Sequence, residues 1–198
     1  MTPSPSSSRK RNSRLTATAQ GADVSPAGEG VGALRVLGID TSLRGTGVGI
    51  VERIDGRLRG IAYDVLKIPA ARPLSACLVH IQRELAKILA EFHPDVVAIE
   101  GVFFARYAKT SLILGHARGV AIATCAAAGI PVYEYAPRRV KQAVVGYGAA
   151  TKEQMQAMVA KQLVLAKLPP EDAADALALA ICHIHNHARL ALAEVKQL

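Results

Sequence analysis

Cysteine is scarce in this chain and wrongly spaced for chemistry. Cys77, Cys125 and Cys182 are the only cysteines among 198 residues. They are odd in number, far apart and set in apolar, helix-like sequence, which excludes a disulfide framework and a thiolate metal site. They read as small buried hydrophobes of a reducing compartment. Long apolar runs are missing: none approaches the ~20 residues needed to span a bilayer. Residues 1–20 lack both the apolar segment of a secretory signal and the apolar face of a transit peptide. A soluble, cytoplasmic protein is the expectation. Aromatic residues make up only 4% of the chain, so the adjacent pair Phe103-Phe104 stands out, as a packing plug or as a wedge that stacks on unpaired bases.

Positive charge, by contrast, is plentiful. With His neutral, 24 Lys and Arg against 16 Asp and Glu give a net charge of +8, which favours a polyanionic partner. A hydrophobic content of 51% lets a chain of this length bury one core, so one domain is expected. Residues 1–33 are rich in Ser, Pro, Ala and Gly, carry Arg9-Lys10-Arg11 and Arg14, and show no hydrophobic periodicity. They predict a disordered tail, either an idle extension or a basic arm touching nucleic acid. Residues 34–188 form the expected folded domain, and 189–198 a C-terminal helical extension.

Within the domain, strands are expected at 34–40, 46–52 and 58–67, the last two joined by a tight turn at Asp55-Gly56. Leu74, Leu78, Ile81, Leu85, Ile88 and Phe92 recur at helical spacing after Pro73, predicting a helix over 73–92 that His93-Pro94 ends. A strand at 95–100, a helix at 106–128 and a strand at Val132–Tyr135 follow. Two shorter helices, split at Gly146-Tyr147-Gly148, lead to a final helix from Asp172. This order predicts an α/β fold: an antiparallel hairpin sheet extended by crossover strands into a five-stranded mixed sheet flanked by α-helices. Gly115 and Gly119 suit close approach of another element to the second helix, either the chain's own sheet or a second copy across a dimer axis.

The acids carry the chemistry. Asp40 closes the run Val36-Leu37-Gly38-Ile39, Glu100 closes Val96-Val97-Ala98-Ile99, and Asp172 and Asp175 open the last helix. An ionised carboxylate at the end of a buried strand is costly unless compensated. Asp40 and Glu100 are neighbours if their strands lie side by side, and residues three apart share a helix face. Four converging carboxylates would repel by roughly 4 kcal/mol per pair at about 4 Å and an effective dielectric near 20. Protonation or divalent cations must relieve that repulsion. Oxygen-only ligands suit Mg²⁺, or Mn²⁺ in its place, and two such ions can drive phosphodiester hydrolysis. Taken singly, Asp40 reads as the start of a turn, Glu100 as half of a surface ion pair and Asp172 as a helix cap; three segments ending alike favour one site. His183, His185 and His187 read better as cations near a helix C-terminus than as a metal site. Beyond residue 33, and with the four acids set aside, 20 Lys and Arg face 10 Asp and Glu. Arg106, Lys109 and Arg118 follow Glu100, while Arg138, Arg139, Lys141 and Lys152 flank the Gly146-Tyr147-Gly148 break. All are candidates for phosphate contacts, though charged helix faces are often merely solvated.

Read together, LGIDTSLRGTGVGIV, VVAIEGVFF, LGHARGVAIA, VKQAVVGYG and EDAADALALAICH resemble the RuvC family of Holliday-junction resolvases over residues 34–187. The resemblance implies a ribonuclease H-like fold and a homodimer that nicks opposed strands of a four-way DNA junction with Mg²⁺. It also implies bacterial recombination and repair at the nucleoid, and a branch-migration motor complex (RuvA-RuvB) as partner. By motif, Asp40, Glu100, Asp172 and Asp175 match the family's catalytic and metal-binding acids, Phe103 the aromatic that stacks at the junction, and Lys141 and Lys152 basic residues near the scissile strand. Thr41-Ser42 replaces the family's usual Pro-Gly, Tyr107 stands where Asn is common and His116 where Gln is common. Two other classes compete. A branched-DNA-binding protein that does not cut would share the basic surface. An actin-like or sugar-kinase-like ATPase would share the GIDTS hairpin but would need a second phosphate hairpin and an adenosine loop that this chain lacks.

Overall fold

Val36-Leu37-Gly38-Ile39 is apolar at successive positions because both faces of its strand are covered, as in the centre of a sheet layered between helices. The computed structural model describes residues 15–18, 33–101, 108–186 and 196–198. Its elements begin with β1 (Thr16–Ala17), β2 (Leu34–Asp40), β3 (Gly45–Ile54), β4 (Arg57–Lys67), α1 (Leu74–Phe92) and β5 (Val96–Glu100). They continue with α2 (Ala108–Ala127), β6 (Val132–Tyr135), α3 (Pro137–Val145), α4 (Lys152–Gln162), α5 (Glu171–Asn186) and β7 (Lys196–Gln197). The strand order is β1-β4-β3-β2-β5-β6-β7. β2, β3 and β4 are antiparallel neighbours, while β5 and β6 add on in parallel. Asp55 and Gly56 turn β3 into β4 with φ of 50° and 76°, the left-handed pair a two-residue hairpin requires.

The five central strands and flanking helices match the sequence expectation. Both chain ends differ from it. The N-terminal segment is not tail throughout, because β1 pairs antiparallel with β4. The last residues are not helical, because β7 pairs antiparallel with β6. A strand as short as two residues leaves no periodicity to read, and both exist only because an exposed sheet edge offers unpaired backbone groups.

One core lies between the sheet and α1 and α2, filled by Cys77, Ile81, Leu85, Ala117, Ala121 and Cys125 among others. The second lies under α3, α4 and α5, with Val140, Val144, Val159, Leu177 and Ile181. All three cysteines are free and buried. α1 starts directly after Pro73 and ends at His93, whose left-handed φ of 45° closes the last turn before Pro94. α2 behaves differently from an ordinary core helix. Among its described residues only Ala117, Ala121 and Cys125 are fully buried, and its outer side shows Leu112, 66% exposed. By length and composition α2 could cross a bilayer, a stretch that reading for uninterrupted apolar runs passes over. Its Arg118 binds into the sheet, as described below, and fixes α2 to the domain.

Candidate active site

β2 and β5 are adjacent and parallel, with Ile39 opposite Ile99. Asp40 and Glu100, each the next residue, therefore leave the sheet at the same level and the same end. Each is half-buried. The crossover connections force this arrangement: parallel strands present their C-terminal ends together, which is where open α/β sheets hold their ligands.

The helix bearing the other two acids comes unusually close to the sheet. A Cβ at Gly38 would lie 1.8 Å from the carbonyl oxygen of Ala176, and one at Gly47 would lie 1.9 Å from that of Asp172. Only glycine permits backbone contact of this kind. Gly47 is also the residue paired with Asp40 across β2 and β3, so the close approach sets the first turn of α5 directly beside Asp40. The Asp172 carboxylate reaches over Gly45, with Oδ2 3.2 Å from where a Cβ would stand. Asp175 follows one turn later and is half-buried.

The electrostatics follow from this placement. Burial first, then the charges of Glu100, Asp175 and Asp172, raise the Asp40 pKa to about 7, and Lys152 only partly opposes them. Glu100 is pushed up by burial and by Asp175, against the pull of Lys141, Lys152 and Arg118. Burial also raises Asp175, while Lys152 draws it back down. Three acids thus resist ionisation in the presence of nearby lysines, the condition a hard divalent cation relieves. Among the described residues no three His, Cys, Asp or Glu side chains already stand as a metal cage. The donor set is all oxygen, which fits Mg²⁺ or Mn²⁺ and not zinc. Of the histidines, His183 is buried with Nδ1 2.8 Å from the Tyr135 hydroxyl. His185 sits on the exposed side of α5 at the Ala143 carbonyl, and His187 lies outside the described residues.

The basic candidates divide. Lys152, exposed at the start of α4, pairs with Glu171 next to Asp172. The capping box of Thr151 and Gln154 fixes the helix start that carries it. Lys141 is half-buried, and its Nζ donates to the Ala150 carbonyl at 2.8 Å, within electrostatic reach of Glu100. Lys109 is exposed at the start of α2. Arg118, expected among the phosphate contacts, turns inward: its guanidinium donates to the Glu100 carbonyl at 2.8 Å and to Glu134 at 2.5 Å. It holds Glu100 in place. Phe103, Phe104, Arg106 and Tyr107 lie outside the described residues.

Several participants were not singled out from the sequence. Glu134 on β6 is visible only once β6 is known to flank β5. Glu171 reads as an ordinary first-turn acid until Lys152 is set beside it. At Thr41-Ser42, Ser42 and Thr46 clasp the loop after Asp40: the Thr46 hydroxyl donates to the Ser42 carbonyl at 2.5 Å, and the Ser42 hydroxyl accepts from the Gly45 amide at 2.9 Å. A local hydroxyl clasp thus orders this turn.

A family model described as crossover junction endodeoxyribonuclease RuvC matches residues 36–183. A protein of that name from Syntrophomonas wolfei is 50% identical over 155 residues, 78% of this chain and 90% of the relative. Another from Koribacter versatilis is 52% identical over 159 residues, 79% of this chain and 96% of the relative. Among solved structures, T. thermophilus RuvC in complex with Holliday junction substrate superposes with a TM-score of 0.73 at 31% identity. That match covers 83% of this chain and 99% of the other.

Proposed function

The chain belongs to the RuvC family of crossover junction endodeoxyribonucleases, and we propose that Asp40, Glu100, Asp172 and Asp175 are the acids with which it cuts. It is a divalent-metal-dependent endonuclease that resolves four-way Holliday junctions in DNA recombination and repair. One observation carries the assignment. Asp40 and Glu100 end neighbouring parallel strands at one level while glycine-mediated contact brings Asp172 beside them, and the charges of the other three acids raise the pKa of Asp40.

Each residue then has a physical task. Asp40 and Glu100 are fixed by the sheet, and Arg118 donates to the Glu100 backbone carbonyl beside the site. Asp172 and Asp175 come from a helix end, whose dipole favours negative charge. The four would hold Mg²⁺, or Mn²⁺ in its place, two ions per site; bound there, the ions supply the Lewis acidity and charge neutralisation that phosphodiester hydrolysis needs. Lys141 and Lys152 bind the scissile strand's phosphates and keep the unligated site from repelling DNA. Lys109 and Arg106 extend that contact along the segment after Glu100, and Phe103 and Phe104 stack on bases opened at the crossover.

Two cuts in a two-fold-symmetric junction require two sites related by the same symmetry, so the working form is a homodimer. The uncovered outer side of α2 supports this. An apolar groove of about 710 Å³ between α1 and α2 is lined by Leu78, Val79, Val120 and Ala123 among others, and Leu112 is exposed on the same helix. The enzyme acts at the bacterial nucleoid, in the cytoplasm, and receives its junctions from a RuvA-RuvB branch-migration complex.

The test is incubation with an end-labelled mobile four-way junction, with and without Mg²⁺. Paired, symmetric nicks that require the metal and fall at least 100-fold in Asp40→Asn and Glu100→Gln are expected. Cutting undiminished in either variant would remove that residue from the site, and binding without nicking in any divalent metal would make the protein a junction binder.

A further inference from the structure

Tyr147 is the one exposed aromatic among the described residues. Tyr63, Phe92 and Tyr135 are buried and Tyr133 is half-buried, whereas Tyr147, in the Gly146-Tyr147-Gly148 break between α3 and α4, is 45% exposed. The ring gains little from burial, yet it is fixed in place. Gly146 closes α3 in the left-handed region at φ 96°, a conformation that favours glycine, and the Arg138 side chain lies over Gly148. The Tyr147 hydroxyl donates to Gln154 Oε1 at 2.6 Å. That oxygen is itself held by the cap of α4, where it accepts from the Thr151 amide at 2.9 Å. The tyrosine is thus anchored at its polar tip while nearly half of it stays open to solvent. Bracing Gln154 uses the hydroxyl alone and gives no reason to keep an apolar ring in water.

The charges around the ring supply a reason. Arg138, Arg139, Lys141 and Lys152 all fall between residues 138 and 154, where the only acid is Glu153. Lys141 Nζ donates to the Ala150 carbonyl at 2.8 Å, and its charge acts on Glu100 and Asp175. Lys152, two residues beyond Ala150, acts on Asp40, Glu100 and Asp175. The loop that carries Tyr147 therefore joins the two lysines whose fields reach the acids. Three peptide steps separate Tyr147 from Ala150, so their Cα atoms are no more than about 11 Å apart. At about 3.4 Å per nucleotide along a stacked strand, that is a span of three or four nucleotides from a phosphate that Lys141 holds. A rigid exposed ring set among cations is the arrangement with which proteins hold unpaired strands: the cations follow the phosphates and the ring stacks on a base.

We propose that Tyr147 is a stacking platform for a nucleobase of the strand being cut, on the α3 and α4 side of the acids and in addition to the Phe103-Phe104 pair. The inference rests on the DNA-cutting reading above for its ligand, but it is read by fluorescence as well as by cutting.

The chain contains no tryptophan, so Tyr147→Trp places a lone reporter ring at this position. In chelator its emission should be quenched on saturation with a four-way junction, and much less by a plain duplex of the same length, whose bases are already stacked on one another. Single-turnover cutting in Mg²⁺ should fall about 5- to 100-fold in Tyr147→Leu, the loss of one base stack. The conservative Tyr147→Phe, which keeps the ring without its hydroxyl, should recover most of that loss. Melting temperatures confirm that each variant is folded. Reporter emission that does not change in a saturated junction complex would overturn the platform. So would a folded Tyr147→Phe protein that cuts as poorly as Tyr147→Leu, because the hydroxyl and not the ring would then be what matters. Quenching by the junction alongside a parent chain that never nicks in any divalent metal would refute the nuclease reading and leave the platform standing.

Discussion

Asp40 is a poor place for a negative charge, and its protonation can be followed. Burial and three neighbouring carboxylates raise its pKa from 3.8 to about 7. The folded chain therefore binds this proton more tightly than the unfolded chain, and folding stability falls as pH rises from about 4 to 7 and stays low above. Asp40→Asn carries no charge at any pH. In metal-free buffer its stability advantage over the parent should be small near pH 4, grow toward pH 7 and then level off, reaching as much as about 4 kcal/mol at about 1.4 kcal/mol per pKa unit. Thermal melts across pH 4 to 9 measure this, and adding Mg²⁺ at pH 8 should raise the parent's melting temperature far more than the variant's. A gap that does not change with pH would mean that Asp40 is not crowded by the other acids. Arg118 acts at the same scale, since its bonds to the Glu100 carbonyl and to Glu134 tie α2 to the strand that carries the acid.

At the scale of elements, the site is a contact between α5 and the pair β2 and β3. Elsewhere helices pack on the sheet through side chains; here the α5 backbone meets Gly38 and Gly47 directly. That contact determines how far Asp172 stands from Asp40. Gly47→Ala would drive a methyl into the Asp172 carbonyl and force the first turn of α5 outward. Overpacking of this kind costs about 1–3 kcal/mol, and an outward shift near 1 Å should lower cleavage about 100-fold. Urea unfolding and single-turnover cleavage measure the two effects separately. Normal cleavage in a destabilised Gly47→Ala protein would show that the helix can move without harm to the site.

At the scale of the whole molecule, one helix layer is finished and the other is not. α5 is covered by α3 and α4, whereas the outer side of α2 carries Leu112, Gly115 and Gly119 in the open. Within one chain a Cβ at Gly119 meets nothing within 4 Å, and replacing a helical glycine should stabilise the monomer by up to about 1 kcal/mol. If a second α2 packs there, the same change is harmful. Gly119→Leu should therefore leave the domain folded, shift sedimentation from dimer toward monomer and convert paired nicks into single ones. A Gly119→Leu protein that remains a dimer would place the two-fold axis elsewhere.

Residue order alone determined the central elements, because periodicity, turn residues and helix stops act over short distances: Pro73 and His93 bound α1, Asp55-Gly56 makes the hairpin, and each acid closes or opens an apolar run. It also pointed to the four carboxylates and to the family, since one fold places those motifs in that order. Tertiary structure decided what depends on neighbours distant in sequence. Arg118 looks like any helix-surface cation until β5 and β6 lie beneath it. Glycines 38 and 47 look like ordinary strand glycines until α5 comes down on them. Thr16 and Ala17 are unreadable as a strand because two residues carry no period, and only the open edge of β4 gives their backbone a partner.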